Sequence, residues 1–371
     1  MKNMRRFFCA LLPIMLFAAS CSRPQSHSRD TIPYVKAIAG DETSPQFLSL
    51  ASFAKVPSSG DIYIIGGEES CQRLGEAFAG CDVFENARGR DWSDGLKDFA
   101  GETFSLMCDK AFTPYSDYAA EEGTEALREA CVRLSLSALS DKCNVSIYDL
   151  EGNQAKTPAK TIILSDPWLL CCGKFDVDTL FSLTSCAVPV LSPQDLMLSS
   201  IFAGDKKYFT VGVLCDSSYV GRGVYPKIFN SKAREHGIVG AHLFESAVDK
   251  EAPSLLGDFL ARYAESGASA PLEALLVDDW SISGGRLAEE LAVIRDYTKE
   301  ESLLYGKLIS PDFVLLSSSD ITMRTCYDLL RRTSLFTHRI IQPQLKQYTV
   351  EPHLRGIDAP FLTIPSENVQ N

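Results

Sequence analysis

The sequence predicts an α/β protein of two doubly wound lobes, each built on a parallel sheet and facing the other across a cleft. Short apolar runs alternate with amphipathic stretches, which is typical of βαβ units whose helices cover both faces of a parallel sheet. The composition, 45% hydrophobic and 23% charged over 371 residues, is that of a globular protein. A chain of this length favours two lobes over a single small core.

The N-terminus has the pattern of an export signal. Lys2, Arg5 and Arg6 precede a mostly apolar run from Phe7 to Ala19, about half as long as a membrane-spanning helix needs. The run ends in LFAASC at residues 16–21, which resembles the lipobox recognised by lipoprotein signal peptidase. That resemblance implies cleavage before Cys21, lipidation of its thiol and a membrane anchor. An ordinary secretory signal is the alternative.

Ser22, rather than an Asp, follows the cysteine, and in Gram-negative lipoproteins this implies transfer to the outer membrane. The next residues are polar and lack apolar periodicity, as expected of a tether. The predicted organisation is a signal peptide over 1–20, a flexible tether over 21–35, an N-terminal α/β lobe over 36–205, a C-terminal α/β lobe over 206–345 and a C-terminal tail over 346–371.

In the first lobe, the clearest strand is DIYIIGG at 61–67, where two glycines end an apolar run and a helix follows over 69–79. Helical patterns cover 92–112 and 119–140, with an amphipathic stretch over 175–183. Further strands are predicted at 161–165 and 188–192, and an edge strand at 144–148.

The second lobe has a more regular pattern. Strands are predicted at 208–215, 240–245, 272–278 and 312–317, with a short final strand at 339–342. The helices between them cover 221–236, 252–266, 284–307 and 321–332. Gly237 stands where a helix usually ends. Four successive βα units predict an independent doubly wound lobe.

Charge and cysteine content exclude several kinds of partner. The net charge of −12, more negative once the basic leader is removed, disfavours binding to nucleic acid. Ten cysteines follow Cys21 at irregular spacings, several inside apolar runs, which indicates small buried side chains. Cys171-Cys172 has no partnering Cys-x-x-Cys or His motif, so neither a metal nor another cofactor is predicted.

Candidate binding residues follow the predicted strands, because ligands of open α/β sheets bind beyond the carboxyl ends of the strands. Carboxylates, hydroxyls and aromatic rings there suit a small polar ligand of the sugar, nucleoside or amino-acid class. Asp and Ser at these positions also act as helix N-caps, and tryptophans there also pack in cores, so both interpretations stay open. The candidates are Glu68, Asp166, Trp168, Ser192, Asp216, Ser217, Tyr219, Asp279, Trp280, Ser318 and Asp320.

A resemblance to a known family indicates where in the fold these residues would lie. KYFTVGVLCDSSYVGRGVY at 207–225, with the helix up to Gly237, is similar to the start of the second lobe in type I periplasmic binding proteins. VPVLSP at 188–193 is similar to the crossover between lobes in that family, and the fit covers about residues 160–345. The resemblance implies a lipid-anchored, non-catalytic solute-binding or ligand-sensing protein that works with a transporter or receptor.

Two alternatives belong to other functional classes. Cys171 or Cys172 in one half and Cys215 in the other resemble the paired thiols with which the aspartate/glutamate racemase family moves a proton on opposite faces of a substrate. The Cys-Asn-Thr and Gly-Cys-Thr patterns of that family are absent, and so is a Gly-x-Ser-x-Gly hydrolase motif. We therefore assign no catalytic residue. A structural or interaction lipoprotein is the third class.

Overall fold

The structure is a computed structural model that describes residues 29–371 except 87–88, 150, 205, 269, 283, 297, 338, 340, 354–360 and 369–371. Ile32–Asn371 form one compact unit. Its strands are β1 (Asp61–Gly66), β2 (Thr103–Asp109), β3 (Lys142–Cys143), β4 (Gln154–Ala155), β5 (Ala159–Leu164), β6 (Val190–Leu191), β7 (Tyr208–Cys215), β8 (Gly240–Ala247), β9 (Leu272–Asp278), β10 (Ile309–Ser317), β11 (Gln344–Pro352) and β12 (Phe361–Pro365).

Helices separate most of these strands along the chain. They are α1 (Pro33–Ala39), α2 (Pro45–Ala51), α3 (Glu68–Gly80), α4 (Tyr115–Glu121), α5 (Thr124–Leu139), α6 (Pro167–Cys172), α7 (Lys174–Leu183), α8 (Pro193–Phe202), α9 (Val224–Glu235), α10 (Leu255–Glu265), α11 (Gly284–Arg295), α12 (Glu300–Tyr305) and α13 (Ser318–Arg332). None of the described helices is long and apolar enough to cross a membrane.

Two separate sheets organise the unit. The first has the order β12-β11-β2-β1-β5-β6, and the second has the order β10-β9-β7-β8. Every pairing in them is parallel except that of β12 with β11. All residues of β1, β2 and β5 are buried, as expected of parallel strands covered on both faces. The predicted α/β class with parallel sheets is therefore confirmed.

Buried side chains from both sheets belong to one apolar cluster. Tyr63 and Leu164 from the first sheet share it with Val211 and Cys215 from the second. Helix α6 packs against α9, and α8 packs against α9 and α13, so helices that follow first-sheet strands contact helices that follow second-sheet strands. The carboxyl ends of the two sheets are thereby brought close together.

The main strands and helices predicted in the second half are present, but the helix predicted at 92–112 is wrong. Residues 103–109 form β2, in the centre of the first sheet. Thr103 and Ser105 alternate with Phe104, but Leu106, Met107 and Cys108 then form an unbroken apolar run, because both faces of this strand are buried. An apolar run of that kind cannot be assigned to strand or helix from periodicity alone.

Four further predictions differ from the structure. Residues 144–148 are bends and turns rather than an edge strand, and the described residues of 339–342 form no strand. Strands β11 and β12 instead lie largely in the segment predicted as a tail, and β11 extends the first sheet beside β2. The predicted helix 284–307 divides into α11 and α12, because the Asp296 carboxylate accepts the Thr298 amide and hydroxyl in a local turn.

Candidate functional site

The carboxyl end of β5 contacts the loop that follows β7 in the other sheet. Asp166, two residues after the end of β5, caps helix α6 by accepting the backbone N–H of Trp168 at 2.8 Å. Its Oδ2 also accepts the hydroxyl of Tyr219 at 2.6 Å. Asp166 is only 7% exposed, and a buried carboxyl needs hydrogen-bond donors because water cannot reach it. Tyr219, from the second half of the chain, supplies one of these donors.

A second pair of contacts crosses in the opposite direction. Asp278 is the last residue of β9, and its Oδ2 accepts the Gln194 side-chain amide at 2.7 Å. Gln194 lies on α8, which follows β6 of the first sheet, and its own Oε1 accepts the Ser192 hydroxyl at 2.8 Å. The Tyr225 hydroxyl donates to Asp278 at 2.6 Å. Each sheet thus contributes a carboxyl that is hydrogen-bonded by the other half.

A third buried carboxyl ends β2. Asp109 is 1% exposed, and its Oδ1 accepts the amides of Ala111 at 2.9 Å and Phe112 at 3.1 Å. The Tyr115 hydroxyl lies near enough to lower the pKa of this carboxyl, but the two groups do not reach hydrogen-bond geometry. The negative charge of Asp166 acts on Asp109 through space, which places these two carboxyls near one another.

We call Asp109, Asp166 and Asp278, with Tyr115, Tyr219 and Tyr225, the junction. Burial raises the pKa of Asp109 to about 7 and that of Asp166 to about 6, and it also raises the pKa of Asp278. Neighbouring negative charges add to this effect. The junction therefore holds carboxyls that exchange protons near neutral pH, as general acids and bases do.

Several buried polar atoms at the junction have no hydrogen-bond partner. They are Asp109 Oδ2, the Tyr115 hydroxyl, the Ser318 hydroxyl and Trp168 Nε1. Ser318 begins α13 and lies beside Asp278, where it lowers the pKa of that carboxyl. Unpartnered buried polar groups are uncommon and costly, so their concentration in one place marks it as a candidate site.

The structure brings together five of the sequence-predicted residues. Asp166, Tyr219, Ser192, Ser318 and Trp168 are at or beside the junction, either as members or through the contacts described above. Trp168 is only 7% exposed and packs in the shared core.

The remaining candidates lie elsewhere or have other contacts. Glu68, Asp216, Ser217 and Asp320 are exposed, and Asp216 accepts the Ser218 amide in a local turn. Trp280 packs against the apolar cluster of the first sheet. Asp279 accepts the amide and hydroxyl of Ser281 and faces Lys250, so its neighbour Asp278 is the carboxyl that enters the junction.

Sequence reasoning did not select Asp109, Asp278, Tyr115, Gln194 or Tyr225. Asp278 was available as a strand-end carboxylate, and Asp109 would have been one had β2 been assigned as a strand. Gln194 and Tyr225 lie within the first turn of α8 and α9. Their role depends on contacts with a residue that is more than 50 positions away in sequence, and no local pattern indicates such a contact.

Cys215, one member of the proposed thiol pair, has the wrong surroundings for a thiolate. Cys215 is fully buried, and burial together with the negative charge of Asp278 raises its pKa. Cys172 is buried and Cys171 partly exposed. Because the thiolate is the reactive form, a buried thiol beside a carboxyl is a poor proton acceptor at neutral pH. Within the described residues, no group of three His, Cys, Asp or Glu side chains could hold a metal ion.

Two cavities of the described surface lie away from the junction. The larger, about 650 Å³, opens beside α10, α11 and α12 and is bordered by Ser254, Glu290 and Tyr305. The smaller, about 190 Å³, lies at the opposite ends of β7 and β8, near Tyr208 and His242. Neither includes a junction carboxyl.

Comparison with known proteins gives structural similarities only. No family model and no curated protein matches the chain. A glutamate racemase from Francisella tularensis in complex with D-glutamate is 12% identical, with a TM-score of 0.46 over 85% of this chain and 95% of the racemase. A glutamate racemase isoform from Bacillus anthracis is also 12% identical, with a TM-score of 0.43 over 79% of this chain and 89% of that one.

Proposed function

We propose that this chain is a racemase-like α/β protein that binds a small polar ligand between two halves, where the carboxyl ends of its two sheets meet. One observation carries the proposal: Tyr219 bonds to Asp166, and Gln194 bonds to Asp278, in opposite directions between the halves. Strand-end carboxyls from distant parts of the sequence thus converge on one buried place. Open α/β sheets bind their ligands at such a place.

Access to the junction requires the two halves to separate. Asp109, Asp166 and Asp278 are each 7% exposed or less, so a ligand cannot reach them while the cross-sheet hydrogen bonds are intact. Breaking those bonds exposes groups that a ligand could then satisfy. We therefore expect binding to be coupled to an opening and reclosing motion, which lowers the apparent association rate.

Thermal unfolding with a ligand panel tests the proposal. The panel contains sugars, nucleosides and both enantiomers of the amino acids, which are included because the Francisella racemase is in complex with D-glutamate. A ligand at 100 times its dissociation constant stabilises the folded state by about 2.7 kcal/mol and raises Tm. Tyr219→Phe should change the affinity, whereas Tyr148→Phe, at an exposed tyrosine, should not. If nothing in the panel raised Tm, the proposal would be rejected.

Proton transfer is a second candidate function, and the surroundings of the junction carboxyls favour it. Asp166 and Asp278 follow strands of different sheets, and burial raises the pKa of both, that of Asp166 to about 6. A racemase-like reaction needs one base on each side of the substrate carbon, and these two carboxyls would take that role in place of thiols.

Exchange of the α-proton in D₂O, followed by ¹H NMR, separates binding from catalysis. Any amino acid that stabilises the protein should lose its α-proton signal if the carboxyls transfer protons. Asp166→Asn and Asp278→Asn should then stop exchange, whereas Cys215→Ala should leave it within a few-fold of the unsubstituted rate. Binding without exchange would leave a non-catalytic ligand-binding protein.

The predicted export and lipid anchor form a separate proposal. Cys21 and the preceding leader lie outside the described residues, so the proposal depends on the resemblance of LFAASC to a lipobox. Metabolic labelling with a radioactive fatty acid should mark the chain, and Cys21→Ser should abolish the label. Separation of the membranes should place the labelled protein in the outer membrane. Unlabelled protein released into the soluble fraction would favour an ordinary secretory signal.

A further inference from the structure

We propose that the junction selects a small organic amine, bound as its cation, over neutral analogues and over dicarboxylic amino acids. The inference rests on the proposed function, because it names the chemistry of the ligand for the same site. Two observations support the inference: the junction brings negative charges together, and several of its buried polar atoms have no described hydrogen bond.

Three carboxyls meet at the junction without a basic side chain among their partners. The described hydrogen bonds to Asp109, Asp166 and Asp278 come from backbone amides, tyrosine hydroxyls and the Gln194 amide, and no described ion pair involves these carboxyls. Lys227 is an exposed cation beside this region, and its Nζ lies 6.0 Å from the centre of the Trp168 ring rather than in a described ion pair with a junction carboxyl. A ligand carboxylate would therefore meet acids and no paired base.

The buried polar atoms without hydrogen bonds indicate which chemical group a ligand would supply. Asp109 Oδ2, the Tyr115 hydroxyl and the Ser318 hydroxyl are on side chains that are 2% exposed or less. The Tyr115 hydroxyl lies close to Asp109 and the Ser318 hydroxyl lies close to Asp278, but none of the three atoms reaches hydrogen-bond geometry with a described residue. Their oxygens can all accept, and an ammonium group supplies three donors and a positive charge. One primary amine could therefore bond to Asp109 Oδ2 of β2 and to the Tyr115 hydroxyl of α4, which lie close together, and its charge would offset the repulsion between Asp109 and Asp166.

The charge of the site depends on pH, so binding should too. Asp109 is surrounded by Tyr115, Tyr118, Cys71 and Asp166, while Asp278 is surrounded by Tyr225, Cys215, Asp279 and Ser318. Burial raises the pKa of Asp109 to about 7, so at pH 5 this carboxyl is largely protonated and attracts a cation weakly. Burial raises the pKa of Asp278 in the same direction. Amine affinity should increase as the pH rises through 6 and 7, with release of protons on binding.

Isothermal titration of the purified protein with matched ligands provides the test. The pairs are glucosamine and glucose, 1,4-diaminobutane and 1,4-butanediol, and ornithine and glutamate. At pH 8, at least one amine should bind tenfold or more tighter than its matched compound, and this preference should shrink at least tenfold at pH 5. Asp109→Asn should lower the amine affinity at least tenfold while keeping the Oδ1 acceptor that holds the Ala111 amide.

Asp296→Asn is the matched control, because Asp296 also accepts an amide two residues ahead but is fully exposed. Its amine affinity should equal that of the unsubstituted protein. Equal or tighter binding of glucose, butanediol or glutamate would overturn the amine selectivity and leave the proposed site intact. Stabilisation by no compound, in this set or in the wider panel, would reject the site itself.

Discussion

Asp109→Asn should stabilise the protein, and should do so much more at pH 8 than at pH 5. Asp109 is 1% exposed and ionises near pH 7 in the folded protein, because burial opposes its charge. The ordinary value for an Asp side chain is 3.8. Between these two values the folded state holds a proton that the unfolded chain has released, so stability is lost as the pH rises from about 4 to about 7.

The size of the effect follows from the displacement of the pKa. About three pKa units at 1.36 kcal/mol each amount to about 4 kcal/mol lost by pH 8, of which roughly a third is already lost at pH 5. Asparagine carries no charge and keeps the Oδ1 acceptor for the amides of Ala111 and Phe112. The gain in unfolding free energy at pH 8 should therefore exceed the gain at pH 5 by about 2 to 3 kcal/mol.

Urea unfolding at the two pH values, followed by tryptophan fluorescence, measures this difference. Effects of the substitution that do not depend on pH cancel in the comparison. Asp296→Asn, at an exposed carboxylate, should change stability by less than about 0.5 kcal/mol at either pH. An equal effect of Asp109→Asn at both pH values would show that Asp109 ionises normally, and the electrostatic argument for the junction would then be wrong.

Three other expectations concern separate parts of the molecule. Lys160→Met should lower the free energy of unfolding, measured by chemical denaturation, by about 3 to 5 kcal/mol, because it leaves the buried Glu102 carboxylate, 2.5 Å from Lys160 Nζ, without its counter-charge. Adding Glu102→Gln should recover at least about 1 kcal/mol of this loss, and no recovery would contradict the pairing. Tyr219→Phe should raise the pKa of Asp166 above about 6 in a ¹³C NMR titration, and an unchanged pKa would argue against the cross-sheet hydrogen bond. Among the ten described cysteines Cys171 alone is partly exposed. In a chain that carries Cys9→Ser and Cys21→Ser, Ellman's reagent should therefore react rapidly with one thiol, which Cys171→Ser removes; rapid reaction of several thiols would disagree with the burial.

Burial raises the pKa of all three junction carboxyls, so we expect each of them to lower stability when it ionises, which favours a functional reason for their presence. A buried acid that must be protonated or left unpaired could be replaced by Asn or by an apolar residue with a gain in stability. Groups with displaced pKa values concentrate at binding and catalytic sites for the same reason. The buried ion pair of Lys160 and Glu102 differs from them, since each charge there has an opposite partner and further hydrogen bonds.

Much of the second sheet could be predicted from the sequence, because its signals are local. Strand β7 is an apolar run bounded by polar residues. Helix α9 ends at Glu235 and is capped by His236, and the next residue, Gly237, has a φ of +64° that suits a residue without a side chain. Asp166 was selected for the same reason, since it directly follows a predicted strand. These features depend on residues within one or two turns of each other.

The tertiary structure alone decided the rest. Strand β2 could be told from a helix only by its neighbours β1 and β11, and β11 joins it from more than 200 residues further along the chain. The choice of Asp278 over Asp279 likewise depends on Gln194 and Tyr225, which the packing of α8 and α9 brings to β9. Sequence patterns report which faces of an element are buried, but they contain no information on which distant element covers them. The buried junction and its displaced pKa values depend on those distant contacts.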